Sequence, residues 1–355
     1  MPHRGEWLVG DLHCHTVFSH DVWGGPGDDN TDLDQAYTLG WLPNEQIAIA
    51  ELRGLDFLAI TDHNDVRALF DAGYGSSKVT LIRGYEHSLS KGHAGILGLN
   101  LPPSGFAELF AMKTSTDDEA LALRDAVHSL GGTFILNHPF YANGWGYSPA
   151  VVPDSIEVWN IGWVYRHIAP ELVGDTIPPE PSVSDNYKSL PYWETEFLSK
   201  ERMPATGGSD NHYRATVAAQ GVGQPATWVF ARDRRPSSIL QAIRAGRTFV
   251  AAEPPLLGGI QVELTASGRN RRWMVGDTIQ AKERAVVVSA RVINAIAHRI
   301  VFVVDGVRGD PQPILSSDQT FEIPLDAAQH NRVRVEVFLD QGYWMGALTS
   351  PIYFD

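Results

Sequence analysis

Nine side chains in this sequence have the types and spacing to hold metal ions: His13, His15, His20, His63, Glu86, His93, His138, Asp210 and His212. The first pair lies in Gly10-Asp11-Leu12-His13-Cys14-His15, directly after the apolar run Trp7-Leu8-Val9. Side chains alternate along a strand, so a strand ending here sends His13 and His15 to one side and Cys14 to the other. A lone H-x-H is more often a solvated pair than a site, and what gives this one weight is its company. Imidazole and carboxylate together suit borderline divalent ions such as zinc, manganese or iron. One catalytic zinc needs about three protein ligands plus water, so this set implies two or three ions, with Glu86 suited to bridge a pair. Such a centre makes hydroxide from a bound water near neutral pH and clamps the attacking and leaving oxygens of a hydrolysis.

The elements that must position these residues follow a repeated grammar. Leu55–Ile60 reads as a buried strand delivering Thr61-Asp62-His63-Asn64, and Val79–Ile82 as one delivering Gly84-Tyr85-Glu86. A short loop brings His93 ahead of a strand over Ala94–Leu99. Thr116-Asp117-Asp118-Glu119 is a capping box opening a helix that ends at Gly131-Gly132. Thr133–Leu136 delivers Asn137-His138-Pro139, Ser155–Val158 delivers Asn160, and Met203–Thr206 delivers Gly207-Gly208-Ser209-Asp210-Asn211-His212. Helices are expected over Asn44–Arg53, around Trp193–Glu201 and after Pro236. Strand, polar turn, then helix or loop is the pattern of a parallel α/β barrel or sheet, in which functional groups gather at the carboxyl ends of strands.

After Glu253-Pro254-Pro255 helical periodicity gives way to short alternating strands, as in Arg332-Val333-Arg334-Val335-Glu336-Val337. About a hundred residues of this pattern suggest an immunoglobulin-like β-sandwich. The expected division is therefore residues 1–252 and 253–355.

These motifs, in this order, resemble those of the PHP (polymerase and histidinol phosphatase) family over about residues 5 to 250. The quoted segments are Gly-Asp-Leu-His13-Cys-His15, Ile60-Thr61-Asp62-His63-Asn64, Glu86 with His93, Asn137-His138-Pro139 and Gly208-Ser209-Asp210-Asn211-His212. The resemblance implies a distorted (β/α)7 barrel of PHP type with a two- or three-metal centre that hydrolyses phosphoesters. The added β domain and Ile239–Arg247 look more like the CehA/McbA-type metallohydrolase branch, whose relatives include hydrolases of carbamate esters. Many PHP proteins carry Asp where His20 stands here, followed by Asp21; His20 is favoured as the inward residue, with Asp21 the alternative.

Other candidates have plainer readings beside the functional one. Asp62 precedes a metal histidine and is expected to orient an imidazole rather than bind metal. Asn64 and Arg67 are placed to contact a substrate anion, although a helix cap and a solvated arginine explain them nearly as well. His87 faces away from Glu86, His128 lies in a helix, His298 in the sandwich, and His167 in an irregular insertion. Phe140, Tyr141, Trp145, Tyr147, Trp163 and Tyr165 surround strand ends, as packing or as a pocket for a bulky organic group. Thr16–Leu42 has loop chemistry and stands as a candidate lid, or as a poorly ordered excursion.

Composition bounds the partners. The 355 residues carry a net charge of −14, and residues 254–355 hold 10 Lys/Arg against 11 Asp/Glu, so the acidic excess lies in the first part. No basic surplus exists to neutralise a nucleic-acid backbone. The one cysteine excludes an internal disulfide, and no apolar run approaches membrane-spanning length. The expectation is a cytoplasmic metal-dependent hydrolase of a small-molecule phosphomonoester or phosphodiester. A carbamate or carboxyl-ester hydrolase is the alternative, and a non-catalytic metal-binding protein the second. Neither nucleic acid nor membrane is an expected partner, and oligomerisation through the C-terminal domain is open.

Overall fold

The computed structural model describes residues 4–20, 41–140, 144–161, 164–165, 182–183, 186–212, 221–339 and 344–355. Five strands and three helices come first: β1 (Glu6–Asp11), α1 (Pro43–Leu52), β2 (Phe57–Ile60), β3 (Thr80–Leu89), β4 (Gly92–Leu97), α2 (Pro103–Phe110), α3 (Asp117–Ser129) and β5 (Thr133–Leu136). They are followed by β6 (Ser155–Asn160), α4 (Asn186–Tyr192), β7 (Ala205–Gly208), β8 (Ala226–Ala231), α5 (Pro236–Arg244) and β9 (Thr248–Ala251). Local chemistry explains several boundaries. Thr116 Oγ1 accepts from Glu119 N–H and Glu119 Oε2 accepts from Thr116 N–H, the reciprocal box that opens α3. Pro43 and Pro236 sit at helix starts, where a missing N–H costs nothing.

β1, β2 and β3 pair in parallel, as expected of the βα grammar. The next pairings depart from it: β3–β4 and β4–β5 are antiparallel, so β4 returns from β3 through a tight turn instead of a helix. β5–β6 and β6–β7 are parallel again. On the other side of β1, β8 and β9 are antiparallel additions.

The sheet is not a closed (β/α)7 barrel. Where β7 comes beside β8 and β9, threonine hydroxyls stand in place of a ladder. Thr227 Oγ1 accepts from Gly207 N–H at 2.9 Å and donates to Gly207 O at 2.7 Å, and Thr248 Oγ1 donates to Ala205 O at 2.7 Å. Beyond the strand ends a single bridge joins Cys14 to Asn211, with Asp210 N–H donating to His13 O and His15 N–H to Asn211 O. The sheet therefore curls until the extensions of β1 and β7 meet, which brings the first and last motifs together.

Apolar packing fixes that curl. Ile239, Leu240, Ala242 and Ile243 of α5 share a core with Leu8, Phe57, Ile82, Leu97, Ile135 and Val229 from β1, β2, β3, β4, β5 and β8. Ala120, Leu123 and Val127, one face of α3, pack with Phe106 of α2 against Tyr85, Ile96 and Phe134. Truncating a core side chain such as Leu123 to Ala costs about 2–5 kcal/mol.

The C-terminal region is all-β in its regular elements apart from short 3₁₀ turns, in two layers. Arg272–Met274, Gln261–Ser267, Ala285–Ile293 and Asp318–Asp326 form one antiparallel sheet. Arg299–Val304, Arg332–Leu339, Trp344–Thr349 and Ile352–Phe354 belong to the other, and Val262, Val288, Ile300 and Val335 share a core between them. The expected immunoglobulin-like sandwich is not established, because the second layer is not free-standing. Phe249 of β9 pairs with Thr349, making it continuous with the N-terminal sheet. No described helix is long and apolar enough to cross a membrane.

Candidate metal centre

The centre is built around Glu86, whose side chain is fully buried on β3. Its Oε2 lies 3.1 Å from His13 Nε2, 3.4 Å from His15 Nε2 and 3.3 Å from His63 Nδ1. Its Oε1 lies 3.0 Å from His138 Nε2 and 3.3 Å from His93 Nδ1, and accepts from Asn137 Nδ2 at 2.9 Å. Asp210 is a second carboxylate in the same cluster, 3.0 Å from His15 Nε2, 3.3 Å from His13 Nε2 and 3.4 Å from His212 Nδ1. Strand ends deliver these groups: β1 for His13 and His15, β2 for His63, β5 for His138 and β7 for Asp210 and His212. Asn64, His138 and Asp210 have positive φ of 44°, 21° and 48°, a region costly for non-glycine residues and kept where surrounding structure enforces it.

Four overlapping groups place donor atoms within 4.8 Å of one another: His15, His63 and His212; His13, His15, Glu86 and Asp210; His13, His138 and Glu157; His63, Glu86 and His93. The donor chemistry fits divalent cations. Two imidazole Nε2 atoms, of His13 and His15, face each other at 3.1 Å, and buried Asp210 Oδ1 lies 3.3 Å and 3.0 Å from them. A cation answers such a convergence of acceptors better than protons do.

Electrostatics runs in opposite directions within the cluster. Burial opposes charge on His13, yet Glu86, Asp210 and Glu157 together hold its pKa well above the usual imidazole value. His15 is pushed down to about 3 by burial and by His212. Burial disfavours a charged Glu86, but His13 and His63 outweigh it and hold the carboxyl well below its usual range. Asp210 is likewise held low against burial by His13 and His212.

Other expected residues occupy varied places. His20 is exposed at the rim, its ring 5.0 Å from that of His63, and Asp21 lies outside the described residues. Asp62 is buried, with its pKa raised to about 7 by burial; it accepts from Thr16 N–H at 2.6 Å and Thr16 Oγ1–H at 2.7 Å. It thus fixes the turn that follows His15. Asn64 Oδ1 accepts from Ser88 N–H, and Arg67 pairs with Asp65 at 2.7 Å while lying over the Phe18 ring. His87 is buried beside Tyr85 and Phe110, and His128 pairs with Asp154. His298 meets the Ile296 carbonyl, whereas His167, Tyr141 and Trp163 lie outside the described residues. Phe140 stands edge-on to Tyr192, and Trp145 packs against Tyr147. The Tyr165 side chain also lies outside what the structure describes, and of the expected lid only Thr16–His20 and Trp41–Leu42 are described.

Two supporting residues escaped the sequence reading. Ser19 Oγ lies 2.9 Å from His15 Nδ1 and accepts from His63 N–H at 3.1 Å, and a serine in a loop carries no signal of that. Glu157 lies 3.2 Å from His13 Nδ1, and its signal was a carboxylate inside the otherwise apolar run Ile156-Glu157-Val158-Trp159.

A PHP-associated family model (PHP_C) matches residues 194–248, the segment carrying Asp210 and His212. Over those residues this chain is similar to the PHP-associated family. That agrees with the order of its motifs; the narrower CehA/McbA-type branch is not distinguished by the match. No curated protein matches this chain in sequence. Among solved structures it is similar to a two-domain protein of Bacteroides vulgatus containing a predicted PHP-like metal-dependent phosphoesterase. The identity there is 15% and the TM-score 0.45, over 98% of this chain and 96% of the other. It is also similar to PsfC from Pseudomonas syringae, at 16% identity and a TM-score of 0.44 over 71% of this chain and 95% of that one. An amidohydrolase from Chromobacterium violaceum is similar at 16% identity and a TM-score of 0.35, over 59% of this chain and 89% of its own.

Proposed function

We propose that this protein is a metal-dependent hydrolase holding two or three divalent ions, and that it acts on a small-molecule phosphomonoester or phosphodiester. The observation that carries the reading is Glu86, one buried carboxylate meeting imidazoles from five positions: His13, His15, His63, His93 and His138. A carboxylate so surrounded would hold divalent ions together with these imidazoles. Asp210 and His212 add donors beside His13 and His15, and His20 at the rim is assigned as the ninth.

Bound divalent ions supply Lewis acidity and lower the pKa of water. The chain's own residues hold the donors in place. Ser19 fixes His15 and the His63 backbone, Asp62 fixes the Thr16 turn, and Asn137 holds Glu86. Residues 1–252 form the catalytic unit in this proposal, and residues 253–355 support it and offer a surface for self-association. The substrate is a small molecule rather than nucleic acid, and the setting is cytoplasmic.

One observation favours the second reading, a carbamate or carboxyl-ester hydrolase. Among the described residues, Arg53 is turned to Val222 O and Gln224, Arg67 to Asp65, and Arg83 lies over Phe70. A phosphate pocket ordinarily presents such a guanidinium to the anion. A parallel screen of zinc-, manganese- and iron-loaded protein against phosphomonoesters, phosphodiesters and aryl carbamates decides. Turnover of phosphoesters upholds the first reading. Turnover confined to carbamates or carboxyl esters replaces it with the second, and fully metallated protein with no hydrolytic activity contradicts both.

A further inference from the structure

Glu157 sits in the middle of β6, every residue of which is buried. A regular strand would send Glu157 and Asn160 to opposite faces. Here the pairing with β7 slips: Glu157 opposes Thr206, yet Trp159 opposes Gly207. The extra residue is a bulge. Val158 and Trp159 both enter the outer core beside Trp193 and Phe197, while Asn160 turns inward with Glu157. Asn160 Nδ2 then donates to Glu157 Oε2 at 3.2 Å and to Asp210 Oδ2 at 3.1 Å.

The Glu157 carboxylate reaches two histidines of the centre. Its Oε1 lies 3.2 Å from His13 Nδ1, and its Oε2 accepts the backbone N–H of His138 at 2.9 Å. Space for this is left by Gly208. A Cβ there would lie 2.4 Å from Glu157 Oε1 and 2.4 Å from His13 Cβ.

We infer that Glu157 is a positioning residue of the metal centre, holding His13 as the Nδ1–H tautomer and anchoring the His138 backbone, so that both Nε2 atoms face Glu86. An acceptor carboxylate on one ring nitrogen fixes which nitrogen is left for a metal and raises its basicity. His13 Nε2 is the atom presented to Glu86 at 3.1 Å and to Asp210 at 3.3 Å. His138 Nε2 is presented to Glu86 at 3.0 Å. Glu157 thus acts through two histidines rather than as a ligand itself. This rests on the metal-centre reading above.

The test is zinc binding by the full chain, measured by competition with a chromogenic chelator, on wild type, Glu157→Gln and Glu157→Asp. The isosteric glutamine is expected to keep the wild-type stoichiometry at saturation and lose about 10–100-fold in affinity. Aspartate, one methylene short, is expected to fall between the two. Nitrogen-15 imidazole spectra of zinc-loaded wild type are expected to show His13 protonated at Nδ1, a readout that needs no variant. A Glu157→Gln protein that loses a full equivalent of zinc at saturation makes Glu157 a direct ligand and overturns the inference. Unchanged affinity, or His13 protonated at Nε2, overturns it as well. Wild type binding no zinc overturns the metal-centre reading, and this inference with it; the other failures leave that reading standing.

Discussion

Glu86 Oε2 lies 3.1 Å from His13 Nε2, with the two side chains 0% and 2% exposed. Water cannot solvate either group at this depth, so the carboxylate and its imidazoles depend on one another or on a shared cation. Glu86→Gln keeps the volume and removes the charge. It is expected to lower kcat/KM by more than about 100-fold, beyond the 10–100-fold typical of changing a residue behind a ligand. Glu86→Asp is expected to retain part of that activity. Steady-state kinetics at saturating metal measures both, and a near-wild-type Glu86→Gln enzyme contradicts the assigned role.

Gly208→Ala forces a Cβ into the space between Glu157 and His13, with 2.4 Å to each. Neither neighbour is the free end of a surface side chain, so relief requires movement at the centre. The expected cost is about 1–3 kcal/mol of stability, from overpacking. Urea denaturation measures it, and an unchanged midpoint with unchanged slope contradicts the packing described.

His87 is 3% exposed, and burial, aided by nearby His93, lowers its pKa to about 4 from the usual 6.5. The unfolded chain binds this proton below pH 6.5, whereas the native protein resists it until about pH 4. Unfolded protein therefore holds more protons in that window. The His87 contribution is fully present above pH 6.5 and is lost as pH falls toward 4. In His87→Leu the decline in stability between pH 6.5 and pH 4 should be shallower by up to about 3 kcal/mol. Denaturation midpoints taken across that range test it, and parallel wild-type and variant curves contradict it.

Glu194, in the π-helical turn Trp193–Leu198, ties that segment to the C-terminal sheet. It meets Arg332 at 2.6 Å and Arg334 at 3.2 Å, and Arg334 is 6% exposed in its side chain and stacked on Trp193. Breaking a buried pair by removing one partner costs about 3–5 kcal/mol. Arg334 keeps Glu336 at 2.6 Å, so Glu194→Ala should lose about 2–3 kcal/mol, below the range for a lone pair. Thermal denaturation of the two proteins side by side reads this, and an unaltered transition contradicts the network.

Much of the arrangement was legible from local chemistry. The Thr116–Glu119 box starts α3, Thr133–Leu136 is a strand with the expected bounds, and each motif histidine follows an apolar run or a tight turn. These signals are short-range, which is why they read well. The closure of the sheet is not short-range. Hydroxyls of Thr227 and Thr248 replace the ladder beside β7, and nothing in a threonine's neighbours announces that. Helix α2, Pro103–Phe110, passed unread because Pro-Ser-Gly opens it and only Phe106 and Leu109 are buried. Glu157 was hidden by the bulge, which undoes the two-residue period on which inward and outward faces are assigned.

In the function proposed above, the side chains around Glu86 hold several divalent ions, and elemental analysis counts them. Full-length protein purified without chelators, and again after stripping and reloading with zinc, manganese or iron, is compared with Glu86→Gln. Wild type should hold about two or three equivalents of divalent metal, and the Glu86→Gln protein fewer. Wild type carrying only trace metal after reloading, or both proteins holding the same number of ions, would contradict a multi-ion centre held by Glu86.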